Sequence, residues 1–310
     1  MAANGGLFHL LKRPLTRLRR CRVTLSIEPD SLRLLVVRDG RAVHADMEPL
    51  TPATDDGVPA LDAAASALRK LLAAADAPGA ELVIGLTGQH CLPRLLRLPV
   101  MDKALLKQAV PNEMKRDLPV PLDEIYLSWQ VLGRDDGHLN IFALGVPRDI
   151  VDPHLAILER AGAAARSMDL KPLALIRAVG RPEAIIADLE PRSLDVIIVR
   201  SGLPAAIRTV SLRADTDTAD TDTMEDKIAR LGEELTRAVK FYNDNHPSAP
   251  LPADAPAFLT GTGADAATSA NIVAASVGHP LAPLEPRLAW PEHRPLAPFM
   301  ANIGLALKER

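Results

Sequence analysis

Carboxylates close two similar strand-turn segments of this 310-residue chain, Leu25-Ser26-Ile27-Glu28-Pro29 and Ala187-Asp188-Leu189-Glu190. A glycine turn, Thr260-Gly261-Thr262-Gly263, follows a third apolar run. Turns of this kind can aim backbone amides at a phosphate while acids hold a magnesium ion or a water. Three details work against that chemistry here. Were these turns to receive a phosphate, Glu28 and Glu190 would add a side chain and a negative charge beside it, and Pro29 would remove an amide donor. Two carboxylates facing a triphosphate would repel it by ~4 kcal/mol per pair at about 4 Å and an effective dielectric of about 20. ATP hydrolysis is therefore not expected. Asp188 is expected to hydrogen bond within its own turn, and the glycine turn has a sufficient steric explanation without a ligand.

Other catalytic signatures are missing. The chain contains no GxSxG elbow, no GxxxxGK[ST] loop, no HExxH pair and no GxGxxG after a strand. Its eight histidines never fall at ligand spacing on one helix. His90 and Cys91 are adjacent, and neighbours on a strand point to opposite faces, which disfavours a Cys/His dyad. The tract Ala214 to Thr223 is acidic but lacks the glycine and distal glutamate of a calcium loop, so no metal site is expected there.

The elements that would hold these turns follow from periodicity. Thr24 to Glu48 reads as three strands, with Asp39-Gly40 as a hairpin signal. Ala184 to Glu190 and Ser193 to Leu212 repeat that opening around a glycine-containing turn, so the two halves of the chain begin alike. Residues 61 to 75, rich in Ala and Leu, read as a helix. Pro247 to Pro256 and the six-proline stretch 280 to 298 read as stiff connectors, the latter extended against the body before a last helix.

One segment is more specific. In Lys103 to Gly133, Leu105, Leu106, Ala109 and Val110 recur at helical spacing, although Pro111 should kink or end that helix. After Pro121 the period becomes two, with Ile125, Leu127, Trp129 and Val131 on one face and Glu124, Tyr126, Ser128 and Gln130 on the other. This segment resembles the helix, PxPLDE turn and xYQVLG strand of the PilM family, actin-like cytoplasmic proteins of type IV pilus assembly. Further matches follow in the family's order: Glu81 to Gly88 with Leu95 to Lys103, Leu139 to Ala163, Leu170 to Val179 (EPLALxRA in the family), Glu234 to Asn245, Phe258 to Ala264 (LTGGGS) and Ala301 to Glu309.

The resemblance implies an α/β chain with the actin-like ATPase (RNase H-like) two-lobe fold and an inserted α+β subdomain. A basic segment 1–22 would come first. Residues 23–80, 166–182 and 299–310 would form the first lobe, 81–165 the inserted partner-binding subdomain and 183–298 the second lobe. Ser26 stands where the family has aspartate, and Glu28 and Glu190 where it has glycine. The implied nucleotide site, Ser26, Glu28, Asp188, Glu190, Thr260, Gly261 and Gly263, is thus degenerate, and no cofactor is expected. The implied role is a non-catalytic scaffold that binds the N-terminal peptide of a PilN-like bitopic inner-membrane protein, beside other pilus platform and motor components. Leu105, Ala109, Pro119, Pro121, Leu122 and Tyr126 would wall that peptide's groove through apolar anchors. The leucines could equally form the subdomain's own core; Tyr126, on the strand's polar face, is the better partner contact. The alternatives are a nucleotide switch or ATPase using ATP with magnesium, or the equivalent component of a mannose-sensitive-type pilus or a type II secretion system.

Composition fits this reading without implying it. Hydrophobic content of 47% argues against disorder, and a net charge of −3 against nucleic-acid binding. Two cysteines 70 positions apart suggest neither a disulfide framework nor a zinc ribbon, and a reducing, cytoplasmic location is expected. No run of about 18 apolar residues exists. Residues 7 to 22 interleave Leu and Phe with Lys and Arg. They read either as a peripheral membrane contact at the inner-membrane surface or as a plain basic tail.

Overall fold

A computed structural model describes residues 21–50, 60–88, 91–117, 120–212, 224–265, 271 and 278–308. Nearly all of the basic segment, His90, Pro119 and the acidic tract lie outside the described residues. The first sheet joins β1 (Arg22–Glu28), β2 (Ser31–Arg38), β3 (Arg41–Pro49), β4 (Glu81–Leu86) and β8 (Ala164–Leu170) in the order β3-β2-β1-β4-β8. The first three strands form an antiparallel meander, and β4 and β8 add in parallel. Asp39 and Gly40 take φ of 49° and 78°, the left-handed pair that a two-residue hairpin loop needs to match strand twist. The second sheet repeats the plan. Strands β9 (Ala184–Leu189), β10 (Ser193–Arg200), β11 (Leu203–Ser211) and β12 (Ala257–Thr260) run in the order β11-β10-β9-β12, with β12 parallel to β9.

A third sheet, β5 (Leu92–Pro99), β6 (Ile125–Asp135) and β7 (His138–Pro147), has the order β5-β7-β6 and carries helix α2 (Lys103–Asp117). This unit begins later than residue 81. β4 pairs between β1 and β8 because its run Leu82 to Leu86 is buried almost throughout, as an inner parallel strand requires. Helix α3 (Arg148–Ala161) returns to the first lobe and packs on α1 (Leu61–Ala74). Helix α2 continues past Pro111 to Asp117 rather than ending there. Leu106, Val110 and Met114 bury one face against Ile141 and Ala143 of β7, and that burial outweighs the hydrogen bond the proline removes. Of the expected buried face of β6, Ile125 is buried and Leu127 and Trp129 pack under α2, whereas Val131 is exposed beside a break in the β6–β7 register.

Helices α4 (Lys171–Val179) and α6 (Met300–Ala306) cross between the first two sheets, and α5 (Met224–Asn245) covers the outer face of the second. The crossing is so close that a Cβ on Gly304 would lie 1.8 Å from the Ala174 carbonyl oxygen, so only glycine fits. Around it Leu25, Leu34, Ile186, Ile197, Phe258 and Ile303 share one core spanning both lobes. Arg22 donates to the Ala306 carbonyl at 2.7 Å and to that of Lys308, tying the last turn to the first strand. The proline-rich stretch runs extended, with Ala289 bridging Arg41 and Leu281 bridging Ala257. Among the described residues no helix is long and apolar enough to cross a membrane.

Candidate functional site: a cleft filled by its own ion pairs

The strand-turn ends meet where the two lobes face each other, and two cations lie between them. Arg33, on β2, sends its fork across the seam to Glu190: Nη1 donates to Oε1 at 2.6 Å and Nη2 to Oε2 at 2.5 Å. Its Nη1 also donates to the Pro298 carbonyl and its Nη2 to Ser31 Oγ. Lys171, the first residue of α4, brings Nζ to 3.2 Å from Glu28, 2.9 Å from Asp188 and 3.3 Å from Asp195. Threonines complete the set. Thr260 donates to Asp188 at 2.7 Å, Thr262 to Glu190 at 3.0 Å, and the Thr209 hydroxyl to Asp195. All six charged residues are at most 2% exposed.

Burial decides the electrostatics, because it penalises charge and magnifies every pairing. It pushes the Glu28 carboxyl up to about 7 against the pull of Lys171. Burial raises the Asp195 carboxyl as well. Asp188 resists the same penalty, since the Lys171 ammonium and the Thr260 hydroxyl hold it below the usual carboxylate range. Lys171 and Arg33 keep their charges despite burial, because acids surround them.

The structure thus brings together Glu28, Asp188, Glu190 and Thr260 of the expected nucleotide site, and places a plug of side chains among them. Ser26 is buried nearby with no hydrogen-bond partner for its hydroxyl among the described residues. Gly261, at φ 87°, and Gly263 lie against Leu189, where a Cβ would come within 2.3 and 2.6 Å of its atoms; packing alone requires both glycines. Asp188 was expected to bond within its own turn. Its partners instead come from α4 and β12.

Sequence reasoning missed Arg33, Lys171 and Asp195, although signals for each were present. Arg33 is the lone charge in Ser31-Leu-Arg-Leu-Leu-Val-Val, and Asp195 the lone charge in Ser193-Leu-Asp-Val-Ile-Ile-Val. The two turns before them read Glu28-Pro-Asp-Ser-Leu and Glu190-Pro-Arg-Ser-Leu, a repeat whose charge reverses at Arg33 and Asp195. Lys171 stands where the resembled motif begins with glutamate.

The expected partner-binding residues lie on the inserted unit. Leu105 is 54% exposed on the outer side of α2, Ala109 is half-buried, and Pro121 and Leu122 lead through a short 3-10 turn into β6. Tyr126 is 39% exposed, donates to Asp152 of α3 at 2.9 Å and carries Arg148 over its ring at 4.3 Å. Arg148 in turn donates to the Asp123 carbonyl, so α3 fixes the rim on which Tyr126 stands.

Two lobes built on repeated meanders, with crossing helices between them and a cleft at the seam, define the actin-like fold, and solved structures agree. A PilM-PilN type IV pilus biogenesis complex contains a chain that superposes with a TM-score of 0.75 at 20% identity, covering 92% of this chain and 97% of that one. The cytoplasmic domain of EpsL, an inner-membrane component of the Vibrio cholerae type II secretion system, gives 0.54 at 12% identity, covering 94% and 96%. In sequence, the type II secretion system protein L of Xanthomonas campestris pv. campestris is 33% identical over 86 residues. That match spans 27% of this chain and 23% of the relative's length. No protein-family model matches the chain.

Proposed function

We propose that this protein is a non-catalytic cytoplasmic scaffold, peripheral at the inner membrane, in the assembly platform of a type IV pilus or a related machine. It receives the cytoplasmic N-terminal peptide of a PilN-like membrane protein beside the rim formed by α2 and β6. The observation that carries this reading is a fold likeness to the PilM-PilN structure that covers 92% of the chain, joined to a cleft already filled by Arg33 and Lys171. A nucleotide's phosphates would have to displace two buried cations from four carboxylates, so neither ATP nor magnesium is part of the working state. The sequence match to a type II secretion protein L supports a second reading, the same scaffold role in a secretion platform.

Calorimetry separates these. Mg-ATP titrated into the purified chain is expected to give no heat. A peptide from the PilN-like protein of the same genome is expected to bind, and Tyr126→Ala to weaken it by about tenfold or more, as loss of an aromatic anchor does. Tight ATP binding would sink the scaffold reading. Binding only to the cytoplasmic segments of secretion components would move it to the second machine.

A further inference from the structure

The plug does not balance its own charge. Four carboxylates surround one guanidinium and one ammonium, a formal excess of two negative charges in a place closed to water. The start of α4 adds roughly half a positive charge through its helix dipole, too little to offset that excess. The four acids are also unequally served. Glu190 has both oxygens on the Arg33 fork and a third bond from Thr262, and Asp188 has the shortest contact to Lys171 together with the Thr260 hydroxyl. Glu28 and Asp195 are left to share one ammonium at 3.2 and 3.3 Å, with a single hydroxyl, that of Thr209, on Asp195.

The repeat explains how this came about. Arg33 of the first hairpin reaches Glu190 of the second, and the same relation run the other way would set Asp195 of the second against Glu28 of the first. One crossing is an ion pair and the other would be two acids. Lys171 stands between them, and two carboxyls around a single cation in a dry site cannot both ionise cheaply.

We propose that Glu28 and Asp195, the two carboxyls that share the Lys171 ammonium, hold a proton at neutral pH, making the seam between the lobes a proton-loaded joint. The proposal stands on this cluster alone and holds whichever membrane partner the scaffold serves. Among the described residues, the charged groups that act on both acids are Lys171 of α4 and Asp188 of β9, and Glu28 also faces Glu190, in the turn after β9, and Arg33 of β2. Cys91, in the loop leading to the insertion, faces Asp195 with its thiol pushed up to about 12 by burial, so it stays neutral throughout. A Cβ on Gly88 of that loop would lie 2.9 Å from the Thr209 hydroxyl and 3.6 Å from Asp195, so the crossing into the insertion rests directly on the joint.

The sign follows from the raised carboxyls. A group whose folded value lies above its unfolded one binds more protons in the folded state between the two, so its stabilisation is complete below the unfolded value of 4.5 and is lost as pH rises through about 7. The test measures urea unfolding of the full chain from pH 5 to 8, for the natural protein and for Glu28→Gln and Asp195→Asn, together with the infrared carbonyl band of protonated carboxyl groups. If the joint is loaded, the natural protein's unfolding constant carries an extra rise approaching tenfold per pH unit over the lower part of that range, as one linked proton gives. That rise disappears in Glu28→Gln, and the native band present at pH 7 is lost in either variant. Equal slopes, or no protonated carboxyl band at pH 7, would overturn the proposal. Should both variants fail to fold, the band of the natural protein decides: one that titrates away near neutrality supports the joint, and its absence refutes it.

Discussion

The hairpins β1–β2 and β9–β10 share a turn, Glu-Pro-x-Ser-Leu, in which x is Asp30 or Arg192, and the buried side chain that follows it also reverses sign, Arg33 against Asp195. In an anion site built on two such turns the backbone must stay bare so that a phosphate can enter. Here each turn carries a carboxylate, and the difference in sign lets one hairpin pair with the other. The turns of this chain thus meet through side chains of opposite sign, a contact between two parts of one chain. The lesson concerns the acids. Read alone, Glu28 and Glu190 repel phosphate; read with Arg33 and Lys171, they are also what holds the lobes together without one.

The most severe way to break this arrangement is Lys171→Met, which leaves three buried carboxylates without their cation. It is expected to cost about 5 kcal/mol in denaturant unfolding or to prevent folding at 37 °C. Arg33→Met strands only Glu190 and is expected to cost about 3 to 4 kcal/mol. Adding Glu190→Leu to it should bring stability back to within about 1 kcal/mol of the natural protein, because the pair, once removed together, strands neither partner's charge. A double variant as unstable as Arg33→Met would mean that the fork acts through Pro298 and Ser31 rather than through Glu190. The smallest expected effect is that of Thr262→Val, about 1 kcal/mol for one hydroxyl bond to Glu190.

Much of the frame was legible in the sequence because it is set locally. Alternation and the Asp39-Gly40 signal fix the first meander, and the Ala and Leu spacing of residues 61 to 75 fixes α1 to within a residue. What escaped depends on distant partners. The run Leu82 to Leu86 looks the same whichever sheet receives it, and only pairing with β1 and with β8, some 80 residues on, assigns it to the first lobe. Pro111 signals a break that burial of α2 overrides. The acids of the cleft were found because they sit in turns with a recognisable pattern. Their counter-charges lie inside strand and helix runs, where a lone Arg or Lys is conspicuous but its destination is not.

The tie between Arg22 and the last turn of α6 sets an order of events. The hydrogen bonds that seal β1 reach residues 284 and 286 positions further along, and the Gly304 crossing lies inside the first lobe's core. On a ribosome the strands of that lobe emerge first and must wait for nearly the whole chain before their inner face is covered. The second lobe and the insertion can condense during that wait, so the part made earliest is the part finished last. Until then the apolar inner face of β1 and β2 is a surface for chaperones to guard.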